Sequence, residues 1–147
     1  MKTIIFVCHG NICRSPAAEY IFKKKIKELN REDEFNVFSR ALSYEEIGHD
    51  IYPPMKEELD DRNVPYHHHF ANIISKDEFD IADYIFYMDK SNKNIISYMF
   101  NDDRHIVHPI FEYTPSISNI EDPWYTDRFS FVFEQIEKCI TDILNNI

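Results

Sequence analysis

Cys8 and Arg14 stand near the start of the chain with His9-Gly10-Asn11-Ile12-Cys13 between them, and Ser15-Pro16 follows at once. A thiol and a guanidinium at the two ends of a short loop point to one chemistry. Backbone N–H groups in a tight loop that opens a helix converge on an anion, and the helix dipole adds to their field. The planar fork of Arg14 grips two phosphate oxygens at once. The same positive field favours Cys8 as a thiolate, the form of cysteine that attacks. Ser15 can donate its hydroxyl proton to that thiolate and later to the departing sulfur. Gly10 and Asn11 are the residue types that accept a positive φ, which a cradle needs. A nucleophile beneath an anion cradle implies attack on phosphorus.

Such a loop needs a rigid strand before it and a helix behind it. Ile4-Ile5-Phe6-Val7 is a β-branched and aromatic run, the pattern of a strand buried on both faces of a parallel sheet. Ser15 reads as the N-cap of the next helix and Pro16 as its first residue. Ala18, Ile21, Phe22, Ile26 and Leu29 then recur at helical spacing. Lys23, Lys24, Lys25 and Lys27 crowd the later turns, where the dipole favours cations, and read as a solvated face. Phe35-Asn36-Val37-Phe38-Ser39 alternates as a second strand, and Pro53-Pro54 open a helix over Met55–Arg62. Ser75 and Glu78 predict a capping box. Ala82–Asp89 reads as the third strand, Ser91–Phe100 as a helix and His105–His108 as the fourth strand. Pro109 to Ile120 reads as loop, and Phe131–Ile147 as the closing helix.

The whole chain sets limits on what surrounds this loop. A length of 147 residues with 44% apolar content suits one domain, spanning 1–147, with a core that needs neither disulfides nor metal. A net charge of −10 argues against nucleic acid and anionic membrane as partners. Three cysteines, an odd number, do not form a secreted disulfide framework. The first apolar run is too short for a signal peptide, and no run is long enough to span a membrane. The expected location is the cytoplasm. His67-His68-His69 invites a metal reading, but consecutive side chains on an extended segment point to opposite faces, so none is expected. With only Gly10 and Gly48 in the chain, a glycine inside the loop is not background.

The segment V-C-H-G-N-I-C-R-S-P-A-A-E resembles the signature loop of the low-molecular-weight protein tyrosine phosphatases, V-C-x-G-N-I-C-R-S-P-x-A-E. Two further stretches resemble the same family: H-F-A-N-I-I-S-K-D-E-F from His69, and M-D-K-S-N from Met88. A third is Asp122-Pro123-Trp124-Tyr125, which alone would read as a turn starter. The resemblance implies a doubly wound α/β domain, flavodoxin-like, with a four-stranded parallel sheet of order 2-1-3-4 and helices on both faces. Its site lies at the strand C-termini. It also implies a phosphotyrosine phosphatase that works through a phosphocysteine, without metal or cofactor. Cys8, Arg14 and Asp122 are then the catalytic residues, with Asp122 as the general acid. His9, Gly10, Asn11, Ile12, Cys13, Arg14 and Ser15 form the phosphate cradle. Ser39 and His69 support that loop, Ser39 by holding Asn11. Trp124 and Tyr125 make an apolar lip that stacks on an aryl substrate. An aromatic wall of the cleft falls at Tyr44, or at Glu45 if the alignment shifts by one. Asp89 supports the cleft, and Asn72 stands where the family carries Arg. The implied partners are tyrosine-phosphorylated proteins or small aryl phosphates, with inorganic phosphate as a product inhibitor and the protein a monomer.

Two related chemistries fit less well. Thioredoxin-coupled arsenate reductases share fold and loop but use another cysteine pair near the third strand, and this chain has no cysteine between Cys13 and Cys139. Phosphoarginine phosphatases carry Thr where this chain has Ile12. A phosphate-binding module without turnover is a third possibility, against which Cys8, Arg14 and Asp122 together argue. Cys13 shares a tight turn with Cys8, close enough for the ~3.5–4.5 Å between Cβ atoms that a disulfide demands. It is expected to resolve an oxidised Cys8, the alternative being that it packs beneath the loop as a small apolar residue.

Overall fold

The computed structural model describes all 147 residues. Its centre is β1 (Lys2–Cys8), where the apolar run becomes a strand with Ile4 to Val7 fully buried. β1 pairs in parallel with β2 (Phe35–Ala41) on one side and β3 (Tyr84–Tyr87) on the other. β4 (Val107–Pro109) extends the sheet beyond β3, also in parallel, giving the order β2-β1-β3-β4. Parallel neighbours need long crossovers, and helices supply them.

Alternation along β1 divides the core in two. Ile4 and Phe6 point into a cluster of 28 buried residues. That cluster is shared with α1 (Arg14–Glu28), α2 (Pro53–Asp61) and α6 (Phe129–Leu144). Ile5 and Val7 point into a smaller cluster with Phe79 of α3 (Lys76–Ile81) and Ile96 of α4 (Lys90–Met99). Period-2 side-chain geometry thus accounts for a strand that reads as apolar throughout.

Several element ends differ from those expected. β4 begins at Val107, because His105 adopts a left-handed φ of 56° and the carboxylate of Asp102 holds the amides of Ile106 and Val107. Asp122-Pro123 opens a single helical turn, α5 (Pro123–Thr126), where a plain loop was expected. Its start is dictated locally: Asp122 accepts the Trp124 amide as a cap, and Pro123 occupies the first helical position. The Ser75–Glu78 capping box forms with both of its reciprocal bonds.

Candidate active site

At the C-terminal end of β1 the chain turns through Cys8–Cys13 and enters α1 at Arg14. Asn11 takes the left-handed conformation there, with φ 59°. Gly10 does not. A Cβ on Gly10 would lie 3.2 Å from Glu46 Cγ, so the close approach of that side chain, rather than φ, is what favours glycine here. The amides of Gly10, Ile12, Cys13 and Arg14 make no hydrogen bond within the protein, and Asn11 N–H points to Cys8 Sγ at 3.3 Å. Unpaired amides at a helix N-terminus form an anion site.

Ser15 does not cap α1. The helix starts at Arg14, two residues before the expected Pro16, and the Ser15 hydroxyl lies 3.0 Å from Cys8 Sγ and accepts from Asn11 Nδ2 at 2.9 Å. The Cys8 sulfur competes for this hydroxyl and takes it from the helix end. Asn11 also donates to Ser39 Oγ at 3.0 Å, and its carbonyl accepts from His69 Nε2 at 2.6 Å. Burial pushes the His69 imidazole below its usual range, and it donates from Nε2 as a neutral ring. Asn72 reaches the same Asn11 through its backbone, N–H to Oδ1 at 3.3 Å, so the loss of Arg at this position leaves that contact in place.

Ser39 in turn donates to Glu19 Oε1 at 2.7 Å, and Glu19 Oε2 pairs with Lys23 at 2.6 Å. A buried carboxylate requires such partners. Glu19 is the supporting residue that sequence reasoning missed. It stands in the quoted signature, but only the folded chain brings it beneath β2.

Arg14 is buried, with Nη1 donating to Asp89 Oδ2 at 2.7 Å and to the Ile120 carbonyl at 2.9 Å. Its Nη2 lies 3.6 Å from Asp122 Oδ2. Burial opposes its charge, but Cys8, Asp89 and Asp122 together outweigh burial and hold the guanidinium above its ordinary range. Asp89 is fixed by a second task, capping α4 through the Asn92 amide at 2.8 Å. Ile120 is tied to Met88 by a backbone bond of 3.0 Å, which brings Asp122 over the loop.

These groups line a cleft of about 150 Å³ together with Ile12, Glu45, Glu46, Tyr52, Trp124 and Tyr125. Tyr44 does not line it. That side chain is 74% exposed, whereas Glu45, the alternative for that position, does line the cleft, and the aromatic wall is Tyr52. Tyr52 N–H binds the Ile12 carbonyl at 2.8 Å, and its ring packs against Trp124 at 4.8 Å between centroids. A β-turn-rich loop with no periodicity hides which of its aromatics turns inward. Trp124 and Tyr125 form the outer lip, 54% and 83% exposed. His9 Nε2 pairs with Glu45 at 2.9 Å across the mouth.

The three consecutive histidines diverge. His67 meets Tyr20, His68 packs at a tilt against Phe70, and His69 reaches the Cys8–Cys13 loop. No group of three His, Cys, Asp or Glu side chains is placed to hold a metal ion. No helix is long and apolar enough to cross a membrane.

The segments behind the loop are clamped by Asp50. Its carboxylate accepts the amides of Ile51 at 2.7 Å and His69 at 3.0 Å, and pairs with Lys56. Burial would raise Asp50, but the Lys56 bond and the two amides outweigh it and hold the group at about 2. The folded value lies below the unfolded one of 3.8, so this stabilisation is present above that pH and lost as pH falls toward 2. Asp50→Asn is expected to cost about 1–2 kcal/mol at neutral pH. In urea melts at several pH values, the gap from wild type should close on the acid limb. A gap that persists unchanged at the lowest pH would show that the carboxylate charge is not what holds the clamp.

The model of the low molecular weight phosphotyrosine protein phosphatase family matches residues 3–147. The chain belongs to this family. Its relatives among these phosphatases include the low molecular weight phosphotyrosine protein phosphatase of Gallus gallus, 35% identical over 95% of this chain and 91% of that protein. The solved structure of YfkJ from Bacillus subtilis covers all of this chain and 94% of its own, with a TM-score of 0.96 at 27% identity. The YwlE arginine phosphatase superposes with a TM-score of 0.85 at 26% identity, over 96% of this chain and 92% of its own. The fold is thus shared with these structures at low overall identity.

Proposed function

We propose that the protein hydrolyses phosphotyrosine monoesters through a phosphocysteine intermediate. The observation that carries this reading is the buried Cys8 beneath four unpaired loop amides, with the Arg14 fork and Asp122 over it. In this mechanism the loop amides and Arg14 hold the equatorial phosphate oxygens, and Cys8 attacks phosphorus in line. Asp122 gives its proton to the leaving phenol oxygen. Asp122 then removes a proton from the water that displaces sulfur, and Ser15 steadies the departing thiolate. Asp89 and the Ile120 carbonyl keep Arg14 in plane. No step requires a metal or cofactor.

The apolar walls Ile12, Tyr52 and Trp124 suit an aryl ester, and Ile12 in the loop favours tyrosine over arginine as the phosphorylated group. Tyrosine-phosphorylated proteins and small aryl phosphates are the substrates in this reading. Inorganic phosphate is the competitive product, and the protein works as a monomer in the cytoplasm. The test is turnover on matched phosphotyrosine, phosphoserine and phosphoarginine peptides. Phosphotyrosine should lead by at least ~10²-fold, the discrimination a shaped pocket can supply. Parity with phosphoarginine would overturn the substrate assignment but not the phosphatase mechanism.

Cys13 is buried beside the nucleophile, and desolvation, followed by the charge of Cys8, pushes its thiol well up. It therefore stays protonated and does not compete for phosphate. Peroxide converts the Cys8 sulfur to a sulfenic acid, which removes the Cys8 charge that helped keep Cys13 protonated. The Cys13 sulfur then displaces the sulfenic hydroxyl, which leaves as water with the thiol proton, and a Cys8–Cys13 disulfide closes. Cys139, buried on α6 with its thiol pushed up to about 11, takes no part. After mild peroxide, wild type should regain activity with dithiothreitol and Cys13→Ser should not, with phosphate protecting both. Equal recovery by Cys13→Ser would remove Cys13 from this role.

A further inference from the structure

Away from the phosphate loop, a groove of about 590 Å³ opens between the N-terminal half of β2 and the segment Pro65–His67. β2 is an edge strand. At its far end the edge is covered: Ala41 N–H donates to the Asn72 carbonyl at 2.7 Å, and the Ala41 carbonyl accepts from Ile74 at 3.0 Å. Backbone groups alternate sides along a strand, so those of Phe35, Val37 and Ser39 face outward as those of Ala41 do. The Ser39 carbonyl is taken by Arg40 Nη1 at 2.8 Å. Nothing in the protein takes the outward groups of Phe35 and Val37, because the covering segment stands off there. The groove is the gap it leaves.

The floor of that gap is positive. Lys23, Lys24 and Lys27 of α1 line it, Lys23 already paired with Glu19, and Glu32 is the one carboxylate among its walls. Lys27 forms no ion pair, and Lys24 reaches only the Arg62 carbonyl at 3.5 Å. In a chain of net charge −10 this cluster reverses the mean field, so it selects an acidic ligand where most of the surface repels one. A free strand edge offers main-chain hydrogen bonds at a spacing only an extended backbone matches. Tyr66 adds aromatic surface beside the lysines.

We propose that this groove docks an extended acidic segment of a partner protein, which adds to the free edge of β2 as a fifth strand. Acidic side chains on one face of the added strand meet Lys24 and Lys27, and those on the other face stay in solvent. The phosphate loop lies at the opposite end of β2, so a docked partner and a phosphorylated substrate are held together. The docking surface thus recruits the protein to acidic targets without occupying its catalytic cleft.

The experiment titrates isotope-labelled protein with an extended peptide of about eight residues, alternating Glu and Val, the length of a long strand. Amide resonances of Phe35–Ser39 should shift, while turnover of an aryl phosphate is unchanged. The same peptide with Lys for Glu should not bind. Lys24→Glu with Lys27→Glu should weaken binding by at least ~10-fold, because both charges face the ligand, and leave basal turnover intact. Four results would overturn the proposal. These are no shift at about 1 mM peptide, equal binding by the lysine variant, and shifts confined to Cys8–Ser15 with competitive inhibition. The fourth is inorganic triphosphate matching the peptide without moving Phe35–Ser39, which would make the groove a simple anion site.

Discussion

Replacing Cys8 with Ser removes turnover by at least ~10⁴-fold, because a nucleophile that forms the covalent intermediate has no substitute in its catalytic unit. Phosphate binding survives, since it rests on the loop amides and Arg14 rather than on sulfur. A hydroxyl at that position is held by the same Ser15 and Asn11 donors but does not ionise at neutral pH. The measurement is phosphate release from an aryl ester in metal-free buffer, beside direct titration of phosphate into the variant. Steady release of phosphate by Cys8→Ser would refute the assignment. Loss of phosphate binding would show instead that the sulfur shapes the loop.

Asp122→Ala is expected to cost about 10²–10⁴-fold on phenyl phosphate, the range a positioned general acid supplies. Its loss on an activated nitrophenyl ester should be much smaller, because that phenolate leaves without a proton. The dependence on leaving group is what separates an acid from a structural residue. Asp122 also caps α5 and stands 3.6 Å from Arg14, so its removal disturbs Trp124 and the guanidinium as well. Those effects fall equally on every substrate. Asp122→Asn keeps a cap acceptor for the Trp124 amide and should show the same leaving-group pattern as alanine. Equal losses across esters of different leaving-group pKa would reduce Asp122 to a cap.

The loop was legible in the sequence because its parts are local. Strand, thiol, asparagine and arginine follow one another within a few turns of backbone, and Asn11 takes the positive φ its type allows. Gly10 does not, and its close neighbour is Glu46 from outside the loop. That β1 is a buried strand was legible for the same reason, because its apolar run is continuous; its division between two cores appears only in the fold. The capping box of Ser75 and Glu78 spans four residues, and it formed as the pattern requires.

What depends on contacts across the chain was not legible from composition, periodicity or spacing. Glu19 meets Ser39 only because β2 packs beside α1, and nothing local to either residue marks the bond. Arg14 and Asp89 are far apart in sequence, and the register of β3 against β1 brings them to 2.7 Å. Tyr52 rather than Tyr44 forms the wall because its amide is tied to Ile12, and that tie turns one ring inward and leaves the other in solvent. Ser15, by contrast, meets Cys8 as its place in the loop predicts, and only the cap also read for it is absent. By itself the sequence determined the chemistry at the end of β1, since backbone conformation and nucleophile lie within one short loop. Tertiary structure alone decided which distant side chains hold that loop and wall the cleft, because long-range packing, not local propensity, sets their distances.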